Sequence, residues 1–189
     1  EADAGEVTIG GFSVAKQPEE ARGLIGYLSQ RFSLYEELTV LENIRYGRPT
    51  ASDGDVQKAA TLVGNGDWIK ALPNGLQTET GERGSNLSMG QRQLVTLARV
   101  LLQNPAIFIL DEATANLDPV TEQAFLADLE PLLAGRTTLQ ITHRLVGLER
   151  ADQIIVLDQG CMLAEGLPRE IQSNAAVMAA SSRSSRAAT

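Results

Sequence analysis

The stretch from Ser88 to Glu112 limits the possible folds more than any other part of the chain. Ser88, with Gln91 three positions on, forms a capping box, and Leu94, Val95, Leu97, Ala98, Leu101 and Leu102 follow at helical spacing until Asn104-Pro105 ends the run. Ala106–Leu110 is then continuously apolar between Pro105 and Asp111, the pattern of a fully buried parallel strand. An amphipathic helix leading straight into such a strand is a unit of layered α/β proteins.

The flanking sequence extends that alternation. Val7–Ile9 reads as a short strand entering Gly10-Gly11, and Leu24–Leu28 as a second, more buried strand ending at Ser29-Gln30. Thr39 with Glu42 forms another capping box, for a short helix through Arg45. Ser52–Val63 and Asp67–Leu72 are predicted helices punctuated by Gly64, Gly66 and Pro73-Asn74-Gly75, so residues 31–87 read as a mainly helical insertion. Asp118-Pro119 opens a helix toward Gly135, which Pro131 is expected to bend or shorten. Thr137–Thr142 and Gln153–Leu157 are predicted strands, and Asp158-Gln159-Gly160 turns the second of them into Cys161–Glu165 as a hairpin. The expectation is an α/β fold with a mostly parallel sheet: residues 1–30 and 98–172 form the core, 31–97 a helical subdomain, and the Ala/Ser-rich 173–189 a disordered tail.

Composition removes several classes of function. A length of 189 residues with 43% hydrophobic and 21% charged side chains suits one globular domain. Sixteen basic against 24 acidic residues give a net charge of −8, with no basic block over the first 180 positions, so nucleic acid and anionic lipid are not expected partners. The apolar runs Ala106–Leu110 and Ile154–Leu157 fall far short of the roughly 20 residues that span a bilayer. The single cysteine, Cys161, excludes an internal disulfide, and its apolar neighbours Met162 and Leu163 predict a buried small hydrophobe with no chemical role.

Chemistry concentrates at the end of the central strand. Asp111 and Glu112 are consecutive carboxylates at its carboxyl end, where ligands bind in open α/β sheets. Phosphoryl transfer needs two acidic tasks close together: Asp111 to hold Mg²⁺ directly or through water, and Glu112 to polarise the attacking water. A strand ending in acid is, alone, a weak signal, since about half of such matches are ordinary strand ends. The context is Leu87-Ser88-Met89-Gly90-Gln91, where a hydroxyl and free backbone amides at a helix N-terminus suit an anion such as a terminal phosphate. A capped helix with no ligand is the alternative account of those residues, and the anion site is the favoured one.

In this setting the chain resembles the ATP-binding cassette (ABC) family of transporter nucleotide-binding domains, a P-loop NTPase fold. Leu87–Gln91 resembles the signature sequence, Asp111-Glu112 the end of the Walker B strand, Ala115-Asn116-Leu117-Asp118 the D-loop, Gln30 the Q-loop glutamine and His143, the sole histidine, the switch histidine. The resemblance implies two such domains packed head to tail around ATP, each nucleotide lying between the Walker motifs of one and the signature of the other. Leu87, Ser88, Met89, Gly90, Gln91 and Asp118 would then face ATP across the interface, Gln30 would sense Mg²⁺ and the attacking water, and His143 would contact the γ-phosphate. Thr78–Asn86 resembles the segment that precedes the signature in exporters and touches the membrane domains, and Glu42–Pro49 has the same flavour, whereas Ser29–Val40 is closer to other ABC transport systems. Glu82-Arg83 within the first of these is otherwise read as a solvated charge pair.

Two departures stand out. The phosphate cradle G-x-x-x-x-G-K-[ST] appears nowhere in the 189 residues, and in the family it lies upstream of the segment that Gly5–Gly10 resembles. The chain therefore reads as an internal start, lacking the first strands and the P-loop helix. Such a piece is expected to expose apolar surface and to be inactive alone. Met89 replaces the first of two signature glycines, and its side chain either narrows the approach to phosphate or points away.

The expected function is ATP binding and hydrolysis driving transmembrane export. ATP and Mg²⁺ are the expected ligands, a second nucleotide-binding domain (identical or different) and transmembrane domains in the same or another chain the partners, and the cytoplasmic face of a membrane the location. Two alternatives stay open: an incomplete half that only donates the signature to a complete partner, and a soluble ABC ATPase acting on ribosomes or DNA, against which the exporter-like 78–84 segment counts.

Overall fold

The computed structural model describes residues 4–29, 34–113, 119–142 and 148–174, and its chain divides into two compact units, Glu1–Ile141 and Thr142–Thr189. The first unit opens with a hairpin of β1 (Thr8–Ile9) and β2 (Phe12–Ser13). Gly10 and Gly11 between them have φ of 57° and 87°, the positive values a two-residue type I′ turn demands at both positions. A short helix that sequence patterning does not signal, α1 (Pro18–Gly23), follows, with Pro18 in the first turn, Glu19 and Glu20 beside it and Arg22 in the last turn, matching the helix dipole.

The sheet of this unit is parallel, in the order β3 (Ile25–Leu28), β4 (Ile107–Asp111), β5 (Thr137–Ile141). Between β3 and β4 the chain forms α2 (Val40–Arg45), α3 (Asp53–Leu62), α4 (Asp67–Lys70) and α5 (Met89–Gln103). Helices α2, α3 and α5 each begin at a capping box, set by Thr39/Glu42, Ser52/Asp55 and Ser88/Gln91. Helix α4 stops at Lys70, short of the expected Leu72. Helix α6 (Pro119–Leu133) connects β4 to β5 and continues through Pro131 instead of ending before it.

One core serves these elements. Leu28, Phe108 and Leu110 from the sheet join Val40 and Ile44 of α2, Val56 of α3, Val95 and Leu97 of α5 and Phe125 and Leu129 of α6. Gly26 permits the contact of β3 with α5, because a β-carbon there would lie 2.4 Å from Val100 Cγ1 and 2.5 Å from Pro105 Cγ. Arg136, at the entry to β5, donates to Pro105 O at 3.0 Å and Asn104 Oδ1 at 2.9 Å while its guanidinium lies 5.4 Å from the Phe108 ring centre.

The apolar run of β4 predicts burial on both faces; the strand is buried on one. Phe108 and Leu110 face the core, while Ile107, Ile109 and Asp111 are half-buried on the opposite face. The register aligns Tyr27, Ile109 and Leu139, so these share that second face, where Tyr27 is 51% and Leu139 53% exposed. No helix among the described residues of this unit covers it, and β5 is exposed along its whole length.

In the second unit β6 (Ile154–Asp158) and β7 (Cys161–Gly166) form the expected antiparallel hairpin, with Gln159 and Gly160 both at positive φ in its turn. Helix α7 (Pro168–Ser173) closes it, and Ile154 and Ile171 make a small core with Leu148, Ala151, Val156 and Ala164. Cys161 is exposed, contrary to the burial expected from its apolar neighbours. It follows a hairpin turn, on a strand whose first three residues are all exposed.

Candidate functional site

Strand β4 ends by delivering Asp111 and Glu112. Asp111 is its last residue, and its Oδ2 accepts a hydrogen bond from the Tyr27 hydroxyl at 2.5 Å. That bond, with smaller contributions from burial and the carboxylate charge, raises the Tyr27 pKa above its ordinary value. Glu112 leaves the strand in the left-handed region, at φ 47°, and its backbone N–H donates to Ile141 O at 3.0 Å. A left-handed conformation costs a residue with a β-carbon about 1 to 2 kcal/mol, so the turn at Glu112 is held by its surroundings. Among these is Gln93 of α5, 1% exposed, which donates from Nε2 to Ala113 O at 2.5 Å. Its Oε1 is buried without a hydrogen-bond partner among the described residues.

The signature-like residues sit where the sequence places them, at the start of α5. Leu87 is buried beneath the tip. Ser88 Oγ accepts from Gln91 N at 3.1 Å and Gln91 Oε1 accepts from Ser88 N at 2.9 Å, so both side chains engage in capping. The amides of Met89 and Gly90, the first two of the helix, have no acceptor within it and point past its N-terminus. The Met89 side chain is 41% exposed and so is not packed into the core. Through Gln93, the helix that presents this tip is bonded to the backbone just after Glu112.

A second polar cluster, invisible to motif reading, fixes the segment after the Q-loop-like position. The buried Asn43 side chain accepts from Tyr35 N at 2.9 Å and donates to Tyr35 O, Leu38 O and Thr39 O. Thr80 Oγ1 contacts Tyr35 O and Leu38 O at 2.9 Å. Arg99 of α5 donates to Asn43 O at 2.7 Å and Asn43 Oδ1 at 2.8 Å, and its guanidinium lies 5.6 Å from the Tyr35 ring and 6.0 Å from that of Tyr46. Glu82 and Arg83 lie in an exposed turn between these two clusters, and no ion pair joins them.

Gln30, the D-loop-like 115–118 including Asp118, and His143 lie outside the described residues. Among the described residues no three His, Cys, Asp or Glu side chains gather as a metal cage. Two adjacent carboxylates nevertheless fit Mg²⁺, a hard cation that takes one or two protein carboxylates and completes its shell with water and phosphate oxygens. No helix among the described residues is long and apolar enough to cross a membrane.

The family model for ABC transporters matches residues 1–115. The chain belongs to the ABC transporter family. Its curated ABC relatives include an uncharacterized ABC transporter ATP-binding protein, YknV, of Bacillus subtilis (strain 168), 54% identical over 128 residues, 68% of this chain and 21% of the relative. The glutathione/L-cysteine transport system ATP-binding/permease protein CydD of the same organism is 41% identical over 89% of this chain and 29% of its own length. The ATP-dependent lipid A-core flippase of Chromobacterium violaceum is 42% identical over 88% of this chain and 28% of its own. Among solved structures, a bacterial Atm1-family ABC exporter with ATP bound matches with a TM-score of 0.81 at 37% identity, covering 93% of this chain and 31% of that one. The chain thus spans about a fifth to three tenths of the length of these ABC relatives.

Proposed function

We propose that this chain supplies the Walker B, signature and switch portion of an ATP-hydrolysing domain in an ABC exporter. The observation that carries the reading is the end of β4, where a strand places Asp111 and Glu112 together and a left-handed turn at Glu112 redirects the chain. Identity above one third to an exporter with ATP bound supports both the nucleotide and the direction of transport.

In this reading Asp111 holds Mg²⁺, with Gln30 completing the set, and Glu112 accepts a proton from the water that attacks the γ-phosphate. Mg²⁺ held there would supply neutralisation of the charge developing on the phosphate oxygens. Ser88 and the amides of Met89 and Gly90 face the γ-phosphate held by a partner domain, with Leu87, Gln91 and Asp118 flanking, while His143 contacts the γ-phosphate of the other ATP, the one held at its own chain's Asp111 and Glu112. Residues 1–172 act as part of one nucleotide-binding domain at the cytoplasmic face of a membrane, through transmembrane domains in the same or another chain, and 173–189 as a tail. The β- and γ-phosphate cradle comes from sequence outside these 189 residues.

Replacing Glu112 with Gln in the full-length protein tests this directly. ATP turnover is expected to fall by about 100-fold or more while ATP still binds; turnover at the original rate refutes the reading. A second reading is a half that donates only its signature to a complete partner. The gene sequence upstream of the Glu1 codon separates the two. An open frame running back through G-x-x-x-x-G-K-[ST] supports the first, and a start or stop codon there supports the second.

A further inference from the structure

We propose that Tyr27 is a positioning residue for Asp111, holding that carboxylate in the orientation that serves the cation; this rests on the reading of Asp111 as the Mg²⁺ residue. Tyr27 lies on β3 opposite Ile109 of β4, so Asp111 is two residues further along the neighbouring strand and on the same face of the sheet. The phenol leans toward the carboxyl ends of the strands and donates to Oδ2 at 2.5 Å. An aspartate carboxylate otherwise turns easily, since its terminal torsion has broad, roughly two-fold minima. A donor bound to one oxygen removes that freedom and leaves Oδ1 for a hard cation, as outer hydrogen bonds to ligating carboxylates do at metal sites generally.

Burial does not account for tyrosine here. Tyr27 is 51% exposed, while the next residue, Leu28, on the opposite face, is fully buried in the core. An aliphatic side chain would suit the strand equally well, whereas only the hydroxyl reaches Asp111. Phenylalanine is therefore the informative replacement, because it keeps the ring and deletes the donor.

The test uses the full-length protein with a non-hydrolysable ATP analogue, and Mn²⁺ as a paramagnetic stand-in for Mg²⁺, titrated by electron paramagnetic resonance. Tyr27→Phe is expected to weaken Mn²⁺ binding by about tenfold, with the thermal midpoint and the metal-free affinity for the analogue unchanged. Mn²⁺ affinity within about twofold of wild type overturns the proposal, and so does a loss matched by an equal loss of metal-free nucleotide binding. Asp111→Asn, measured alongside, separates the two ways of failing. If it weakens Mn²⁺ binding and Tyr27→Phe does not, positioning by Tyr27 is wrong and the metal site stands. If Asp111→Asn also leaves Mn²⁺ binding intact, the reading of Asp111 fails and the proposal falls with it.

Discussion

Glu112 is held at φ 47°, a backbone state that disfavours any residue with a β-carbon, at a position where the proposed chemistry requires a carboxylate. Function and stability therefore oppose each other at this residue. Glu112→Gly is expected to stabilise the domain by about 1 kcal/mol through relief of that strain, read as a rise in the thermal midpoint, while ATP turnover is lost. A fall in the midpoint would mean that the Glu112 side chain makes stabilising contacts that outweigh the strain. The carboxylates themselves are legible in sequence, because an apolar run ending in Asp111-Glu112 is a local pattern. Their partners are not. Tyr27 lies 84 residues from Asp111, and Gln93 lies 20 residues from Ala113 on a helix whose pattern says only which face is apolar. Such pairs exist only once β3 sits beside β4 and α5 packs against both.

At the scale of elements, capping chemistry is the most readable signal. Thr39/Glu42 and Ser88/Gln91 locate the starts of α2 and α5 from sequence, because the reciprocal bonds depend on residue type and spacing alone. Helices α1 and α7 escape notice because each is six residues long, too short for an apolar face to repeat. The burial of β4 is misread for a different reason, since an apolar strand next to an uncovered face has the same sequence as one covered on both sides. Ser88 carries two roles in the proposed function, cap and phosphate contact, and two substitutions separate them. Ser88→Ala is expected to cost about 1 kcal/mol of stability and Ser88→Gly only a few tenths, because glycine is tolerated at a helix N-cap. If the hydroxyl touches phosphate, both variants lose ATP turnover to a similar extent despite their unequal stabilities. Turnover that instead tracks the thermal midpoint across the pair would reduce Ser88 to a cap.

At the scale of the whole molecule, the sheet of the first unit ends, among the described residues, on a strand with no neighbour beyond it. Among the described residues β5 pairs with β4 alone, its five residues are all exposed, and Leu139 and Ile141 are 53% and 47% open to solvent. An exposed edge strand bearing large apolar side chains is a template for pairing with other chains, and β5 carries no proline, lysine or other charged side chain to deter it. Tyr27 and Ile109 extend the same face across β4 to β3, so the open surface is continuous with the strand edge. The purified 189-residue chain is therefore expected to self-associate as its concentration rises, and to hydrolyse no ATP, since a phosphate cradle is absent from its sequence. Light scattering across a dilution series checks the first point, and a phosphate-release assay with wild-type and Glu112→Gln chains the second. Gln140→Lys places a charge on the exposed edge strand, on the face opposite Leu139 and Ile141, and is expected to reduce association without refolding the sheet. A monodisperse wild-type chain would show that the edge is covered in solution by some other part of the molecule. Turnover that depends on Glu112 would show that phosphate can be held without the missing loop, and the division of labour between Asp111, Glu112 and the signature would have to be redrawn.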